Sequence, residues 1–353
     1  MNIKETLKSL CTPPGVAGCE TAASKAAQNL LLEYMPNAQV DSFGTVTGSI
    51  NYDEKLPLLL LDAHIDEIGM VVNYIDGNGF LKVSGAGGID RRALSAQTVT
   101  IWGKTPVKGV ICALPPHVQT QKDAAQTIKE DQIAIDCGFT KEEVEKVVSL
   151  GDSITIDAEL TELQNDRITA RALDDRAGVC SILYALDLLK KSIEPPKLQY
   201  NLAVTFSSQE ELGCRGARIA AYNINPDLAV AVDVSYGDYH GCKENKTGKI
   251  GGGVMLGTAP SLDRELFENM KKTATEKNIP YQIEVMSSET GTNADVISLS
   301  RKGVKCALLS IPLRNMHTPA EMLQISDIKA TGQLIAEFIG APLMAISPPI
   351  NAG

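Results

Sequence analysis

The sequence predicts a layered α/β fold, a mixed central sheet with helices on both faces, split along the chain by a small inserted β-barrel. Three observations carry this expectation. Leu58 to Leu61 are four consecutive leucines, a continuous apolar run suited to a strand buried on both faces. After Arg167, helical and β-type segments alternate regularly, as in a layered core. Between Ile68 and about Leu163 the chain instead shows short β-type runs separated by glycines, a barrel or sandwich pattern.

Each element follows in order. Glu20 to Met35 is rich in Ala and Leu and stops at Pro36, whose ring disfavours helix in the residue before it. Val40 to Ile50 and Leu56 to Asp62 read as strands. Ile68 to Ile75, then Asp76-Gly77-Asn78-Gly79, then Phe80 to Val83, is a hairpin signal. Further β runs are expected at Gln97–Trp102, Val107–Ala113 and Ser153–Ala158, with one helix at Lys141–Leu150. Arg176 to Lys191 places apolar residues at 179, 182, 183, 186 and 189, a helical stripe. Strands at Leu202–Phe206, Leu228–Val232 and Val304–Ile311 then alternate with helices at Arg215–Tyr222, Asp263–Lys277 and Ser326–Ile339. The expected division is a discontinuous core of 1–68 and 165–342, an insertion of 69–164, and a poorly ordered tail of 343–353.

Composition narrows the function. Lys and Arg number 33 against 43 Asp and Glu, a net charge of −10. That balance speaks against nucleic acid and anionic membranes as partners. No run approaches the ~20 apolar residues of a membrane span, and the first residues lack a basic-then-apolar leader. A soluble, cytoplasmic protein is the expectation. The eight cysteines are scattered, giving neither a disulfide framework nor paired zinc ligands, so they read as reduced and mostly buried thiols. Histidine is scarce, with four residues, so the place of each one carries information.

Five polar sites fall at the ends of apolar segments: His64 with Asp66, the pair Asp174-Asp175, the pair Glu210-Glu211, Asp233, and His317. In open α/β sheets ligands bind beyond the carboxyl ends of the strands, so residues remote in sequence would share one crevice. Two imidazoles, two acidic pairs and a further aspartate suit a carboxylate-bridged pair of divalent metal ions. Such donors favour zinc, cobalt or manganese over copper(I) or an iron–sulfur cluster. If Asp174 bridges while Asp233 and Glu211 bind one ion each, two doubly charged ions outweigh three carboxylates. The surplus positive charge would acidify a bound water. Without cations the same carboxylates would repel each other. Taken singly, each site has a bland reading as a helix cap, a solvated loop or a strand end; together they point to a metal site. His240, in the polar Tyr236–Lys246 loop, and Arg314, beside His317, are candidate substrate contacts. Arg215 could hold a substrate carboxylate or serve a structural ion pair, and His117 reads as structural or interfacial. Gly251 to Gly253 reads as a tight turn.

Specific motifs then carry a resemblance. They are Ala63-His64-Ile65-Asp66-Glu67, Ala172-Leu173-Asp174-Asp175-Arg176-Ala177-Gly178, the run from Gln209 to Ala217, Val232-Asp233-Val234, Gly291-Thr292-Asn293-Ala294, and the run from Met316 to Glu321. On these the chain, from about Lys4 to Ile339, resembles the tetrahedral aminopeptidases. These are dinuclear metallo-exopeptidases that include glutamyl aminopeptidases and members carrying a cellulase label.

The resemblance implies a zinc-exopeptidase-like core, a PDZ-like inserted dimerisation domain, assembly up to a dodecamer, and removal of N-terminal residues from peptides. It assigns one metal to His64, Asp174 and Asp233 and the other to Asp174, Glu211 and His317. Glu210 would be the general base, Asp66 would accept a hydrogen bond from His64, and the Asp174–Asp175 peptide would be cis. Ile65, Thr318 and Asn315 stand where the family often has Met, Ser and Tyr; Asn315 bears on the substrate pocket. Three rival readings stand beside this one. They are a related carboxypeptidase or deacetylase, a glycosidase, for which the single Trp102 offers little stacking surface, and a catalytically silent assembly protein.

Overall fold

Asn2 caps the first helix of the chain, α1 (Ile3–Cys11), its side-chain oxygen accepting the Lys4 N–H. This helix was not foreseen. It is short, and it buries Ile3, Leu7, Leu10 and Cys11. The computed structural model describes all residues except 51–52, 114–115, 119–126, 193–197, 244–245 and 342–353. The expected tail therefore lies outside the described residues. Helix α2 (Thr21–Leu31) ends four residues before the predicted stop, and a turn fills the interval. The expected strand over 40–50 is two strands, β1 (Gln39–Val40) and β2 (Val46–Ile50). Asp41 breaks the run by accepting the N–H groups of Phe43 and Thr45 on one carboxylate oxygen. The leucine-rich strand β3 (Leu58–His64) is buried from Leu59 onward.

The segment that follows closes into a barrel. Its strands are β4 (Gly69–Ile75), β5 (Leu81–Ala86), β6 (Thr98–Trp102), β7 (Pro106–Ile111), β8 (Ala134–Asp136) and β9 (Ser153–Ile156), in the order β4-β5-β8-β7-β6-β9. Inward-facing Val72, Leu81, Val99, Ile101, Ile135 and Ile154 belong to a core separate from that of the large sheet. Helix α3 (Lys141–Val147) is fixed by a reciprocal cap between Thr140 and Glu143.

Strands β10 (Thr161–Leu163) and β11 (Arg167–Ala170) lead back to the large sheet, and the long helix α4 (Leu173–Lys191) follows, its start kinked at Asp174 and Asp175. Then come β12 (Asn201–Ser207), α5 (Arg215–Ile224), β13 (Leu228–Tyr236), β14 (Val254–Thr258), α6 (Arg264–Glu276), β15 (Tyr281–Val285), α7 (Ala294–Ile297), β16 (Lys305–Leu313), β17 (Glu321–Gln324) and α8 (Ile325–Gly340).

The eight-stranded sheet runs β1-β2-β12-β3-β13-β16-β14-β15. It is mixed: β12, β3, β13 and β16 are mutually parallel, whereas β2 and β14 run against their neighbours β12 and β16. Alternation along β3 distributes its side chains to both faces. Leu59 and Leu61 join the cluster containing α4 and α8, and Leu60 joins the smaller cluster containing Ala217 and Ala221 of α5 and Ile297 of α7. Among the described residues no helix is long and apolar enough to cross a membrane. All eight cysteines are unpaired, but only Cys11, Cys180 and Cys306 are fully buried, fewer than expected.

One buried ionic cluster ties the termini of these elements together. Glu67, just beyond β3, accepts from Arg171 on both oxygens, and the Arg176 guanidinium lies 3.1 Å from its Oε1. Arg176 is fully buried and also donates to the carbonyls of Leu10 and Pro13, at 2.7 and 2.8 Å. Removing Arg176 leaves Glu67 paired with Arg171 but takes away one of its two cations and the donor to the carbonyls of Leu10 and Pro13. Arg176→Met is therefore expected to lower unfolding free energy by about 3–5 kcal/mol, read from urea denaturation.

Candidate metal centre

Parallel strands bring their carboxyl ends to one rim of the sheet, where the backbones of Ser207 and His64 are directly paired. His64 is the last residue of β3, and Asp233 lies toward the end of β13. Asp174 projects from the kinked start of α4, Glu210 and Glu211 from the turn after β12, and His317 from the turn after β16. The sheet thus gathers all five predicted polar sites.

Asp174 occupies the middle. Its Oδ1 lies 3.0 Å from His64 Nε2, and its Oδ2 lies 3.3 Å from His317 Nε2. His317 Nε2 is also 3.2 Å from Glu211 Oε1, and His64 Nε2 is 3.9 Å from Asp233 Oδ1. Two triads result, His64–Asp174–Asp233 and Asp174–Glu211–His317, each with its candidate ligand atoms within 4.8 Å of one another. His64, Glu210 and Glu211 form a third such group.

A second layer of acids stands behind these and is satisfied by the main chain. Glu321, buried, accepts the N–H of Asp174 on one oxygen (3.1 Å) and that of His317 on the other (3.0 Å). Asp175 accepts the N–H groups of His64 and Gly178, at 3.3 and 3.0 Å. The Asp174–Asp175 peptide is cis. Asp66 accepts the N–H groups of Glu210 and Glu211 on its two oxygens, at 3.0 and 3.1 Å. Asp66 is also the acceptor for His64, through its main chain. The His64 Nδ1 donates to the Asp66 carbonyl at 3.2 Å, and the Asp66 carboxylate, engaged with the glutamates, is 3.6 Å away. Sequence reasoning gave Glu321 no role. It ends the Met316–Glu321 motif, four residues after His317.

The electrostatics follow from burial and crowding. Burial pushes the Asp174 carboxyl up, but hydrogen bonds from His317 and His64 win and hold it well below the carboxylate range. Hydrogen bonds to Asp174 and Glu211 raise His317 to about 11. Burial would lower His64, yet Asp174 and Asp66 hold it well above an ordinary imidazole. Glu210 is raised to about 7, first by burial and then by Glu211, Asp66 and Asp174. Burial, reinforced by Glu210 and Asp174, lifts Asp233 well above its usual range. The front carboxylates outnumber the imidazoles and are buried, so divalent cations match the donor set in both charge and chemistry.

The remaining candidates lie outside this cluster. His240 is exposed on the loop after β13. Arg314 is paired with that loop, its Nη2 at 2.9 Å from Asp238 Oδ1 and its Nε donating to the Asp238 carbonyl. Arg215 and His117 are both exposed. Gly251 and Gly253 adopt positive φ in the expected turn.

Comparison with known proteins agrees with this geometry. The profile of the M42 glutamyl aminopeptidase family matches residues 44–334. A lysyl aminopeptidase of Pyrococcus furiosus is 30% identical over 335 residues, covering 94% of each chain. The TET aminopeptidase of the marine sediment archaeon Thaumarchaeota archaeon SCGC AB-539-E09 superposes with a TM-score of 0.89 at 30% identity, covering 96% of each chain. The Pyrococcus horikoshii TET1 peptidase, described as assembling into a tetrahedron or a large octahedral shell, gives a TM-score of 0.80 at 27% identity over 96% of this chain and 99% of its own. With a profile match across most of its length and a 30%-identical relative spanning nearly all of it, the chain belongs to the M42 glutamyl aminopeptidase family and is a peptidase.

Proposed function

We propose that the protein is a dinuclear metal-dependent aminopeptidase that removes the N-terminal residue of peptides. The observation that carries this reading is Asp174, whose two oxygens face two different imidazoles, each within its own triad. His64, Asp174 and Asp233 would hold one ion and Asp174, Glu211 and His317 the other, with zinc favoured and cobalt or manganese compatible. When bound, the cations supply Lewis acidity that polarises the scissile carbonyl and acidifies water.

The chain's own residues do the rest. Asp66 fixes the main chain of both glutamates, so that Glu211 ligates while Glu210 serves as general base. Glu210 takes the proton of the attacking water and returns it to the departing amine. Glu210, an acid beyond the three ligating carboxylates, offers a free α-amino group an acceptor and would repel a free carboxylate. That supports an aminopeptidase over a carboxypeptidase, and Arg314, a cation that could hold a C-terminus, is engaged with Asp238. The glycosidase reading is weakened because Asp174 and Glu211 face imidazoles, and because Trp102 lies in the barrel, donating to Thr155.

The same reading takes 69–164 as an inserted PDZ-like domain for self-association, with higher assembly supported by the neighbour that forms closed shells. Exposed Tyr74 and Leu150 give the barrel apolar surface for such contact. Eight unpaired cysteines fit a reducing cytoplasm.

Hydrolysis of aminoacyl-p-nitroanilides by protein reconstituted separately with zinc, cobalt and manganese tests this function. Free aminoacyl substrates are expected to turn over and N-acetylated ones to resist; activity confined to the blocked series would instead indicate a deacetylase. Glu210→Gln is expected to reduce kcat by about 10²–10⁴-fold with metal content unchanged, checked by elemental analysis beside steady-state kinetics. Chelation should abolish activity and lower the melting temperature, since ligands that bind only the folded state stabilise it; added zinc should restore both.

A further inference from the structure

The His317 side of the cluster leans on the inserted barrel. After β5 the chain runs through Gly87, Gly88, Ile89 and Asp90. The carbonyl of Gly88 lies 2.9 Å from His317 Nδ1, and the Asp90 N–H donates to the His317 carbonyl at 3.1 Å. Among the described residues, this loop's hydrogen bonds to the site go to His317 alone.

Glycine is what allows the approach. A Cβ on Gly88 would sit 3.0 Å from His317 Nδ1 and 3.3 Å from its Cε1, closer than ordinary packing. Gly87 has φ +85, and a Cβ there would press on Ile68 and Glu211. His317 itself holds φ 62, an uncommon backbone state for a side chain of its size. It persists because both of its main-chain groups are pinned, the N–H by Glu321 and the carbonyl by Asp90.

A carbonyl oxygen only accepts, so the Gly88 contact fixes a proton on Nδ1 and makes Nε2, which faces Asp174 and Glu211, the nitrogen that ligates when a cation displaces its proton. We propose that Gly88 is a positioning residue through which the inserted barrel controls cation binding at the Asp174–Glu211–His317 position, and not at the His64–Asp174–Asp233 position. The inference rests on the dinuclear reading above. It adds a contact from outside the core that acts on one half of the centre.

Zinc titration of the metal-free full chain by calorimetry tests it. The unsubstituted protein should bind two zinc ions per chain. Gly88→Ala should weaken one binding event about 10–100-fold and leave the other unchanged. Asp90→Pro removes the N–H that holds the His317 carbonyl, at a φ of −75 that proline accepts, and should produce the same one-sided loss. Gly85→Ala, whose added methyl meets only contacts of 3.7 Å and beyond, should titrate like the unsubstituted protein. Circular dichroism and melting curves identify which variants fold, and selective weakening in either folded variant supports the proposal. Two unaltered events in both Gly88→Ala and Asp90→Pro, or equal weakening of both events, overturns it. Failure of the unsubstituted protein to bind two ions defeats the dinuclear reading instead, and it shows before any substitution is made.

Discussion

A single carboxylate, that of Asp174, sits between two imidazoles, and the surrounding structure is arranged to keep it there. Burying a carboxylate costs several kcal/mol unless charge and hydrogen bonds compensate. Here His64 and His317 compensate on the two oxygens, while Glu321 holds the Asp174 main chain from behind. The acids divide into two layers with different work. Glu321, Asp175 and Asp66 spend their lone pairs on backbone N–H groups and fix where the chain runs. Asp174, Glu211 and Asp233 face the imidazoles and so have capacity for cations.

Topology explains how residues from 64 to 317 meet. Three parallel pairings, of β3 with β12, β3 with β13 and β13 with β16, align the carboxyl ends that carry or precede the site. The chain then recruits two elements from outside the sheet. The buried Glu67–Arg171–Arg176 cluster joins the segment beyond His64 to the start of α4, two residues from Asp174. The barrel loop at Gly88 holds His317 by a hydrogen bond to its Nδ1. The barrel therefore meets the large-sheet core at His317.

Much of this was legible in the sequence because strong local signals sat beside rare residues. The leucine run before His64, the apolar stretch before Asp233 and the alternation after Arg167 each declared a strand end. The barrel was legible from its hairpin and its spaced β runs. Elements without such signals were missed: β8 and β17 are three and four residues long, and β15 is an edge strand with exposed Ile283 and Val285. Partners supplied by the backbone were also hidden. That His64 Nδ1 meets a carbonyl, that Asp66 caps two glutamates, and that Gly88 reaches His317 are facts of tertiary approach, which side-chain identity does not encode. Glu321 was visible as a letter but not as a clamp, since its two bonds go to main-chain N–H groups brought together only by folding.

A bridging Asp174 would hold one cation on each of its oxygens. Anomalous diffraction from zinc-loaded crystals, collected on either side of the zinc absorption edge, tests it most directly. Two peaks flanking Asp174 are expected, one beside His64 and Asp233 and the other beside Glu211 and His317. A single peak, or peaks that leave Asp174 uncoordinated, would contradict it.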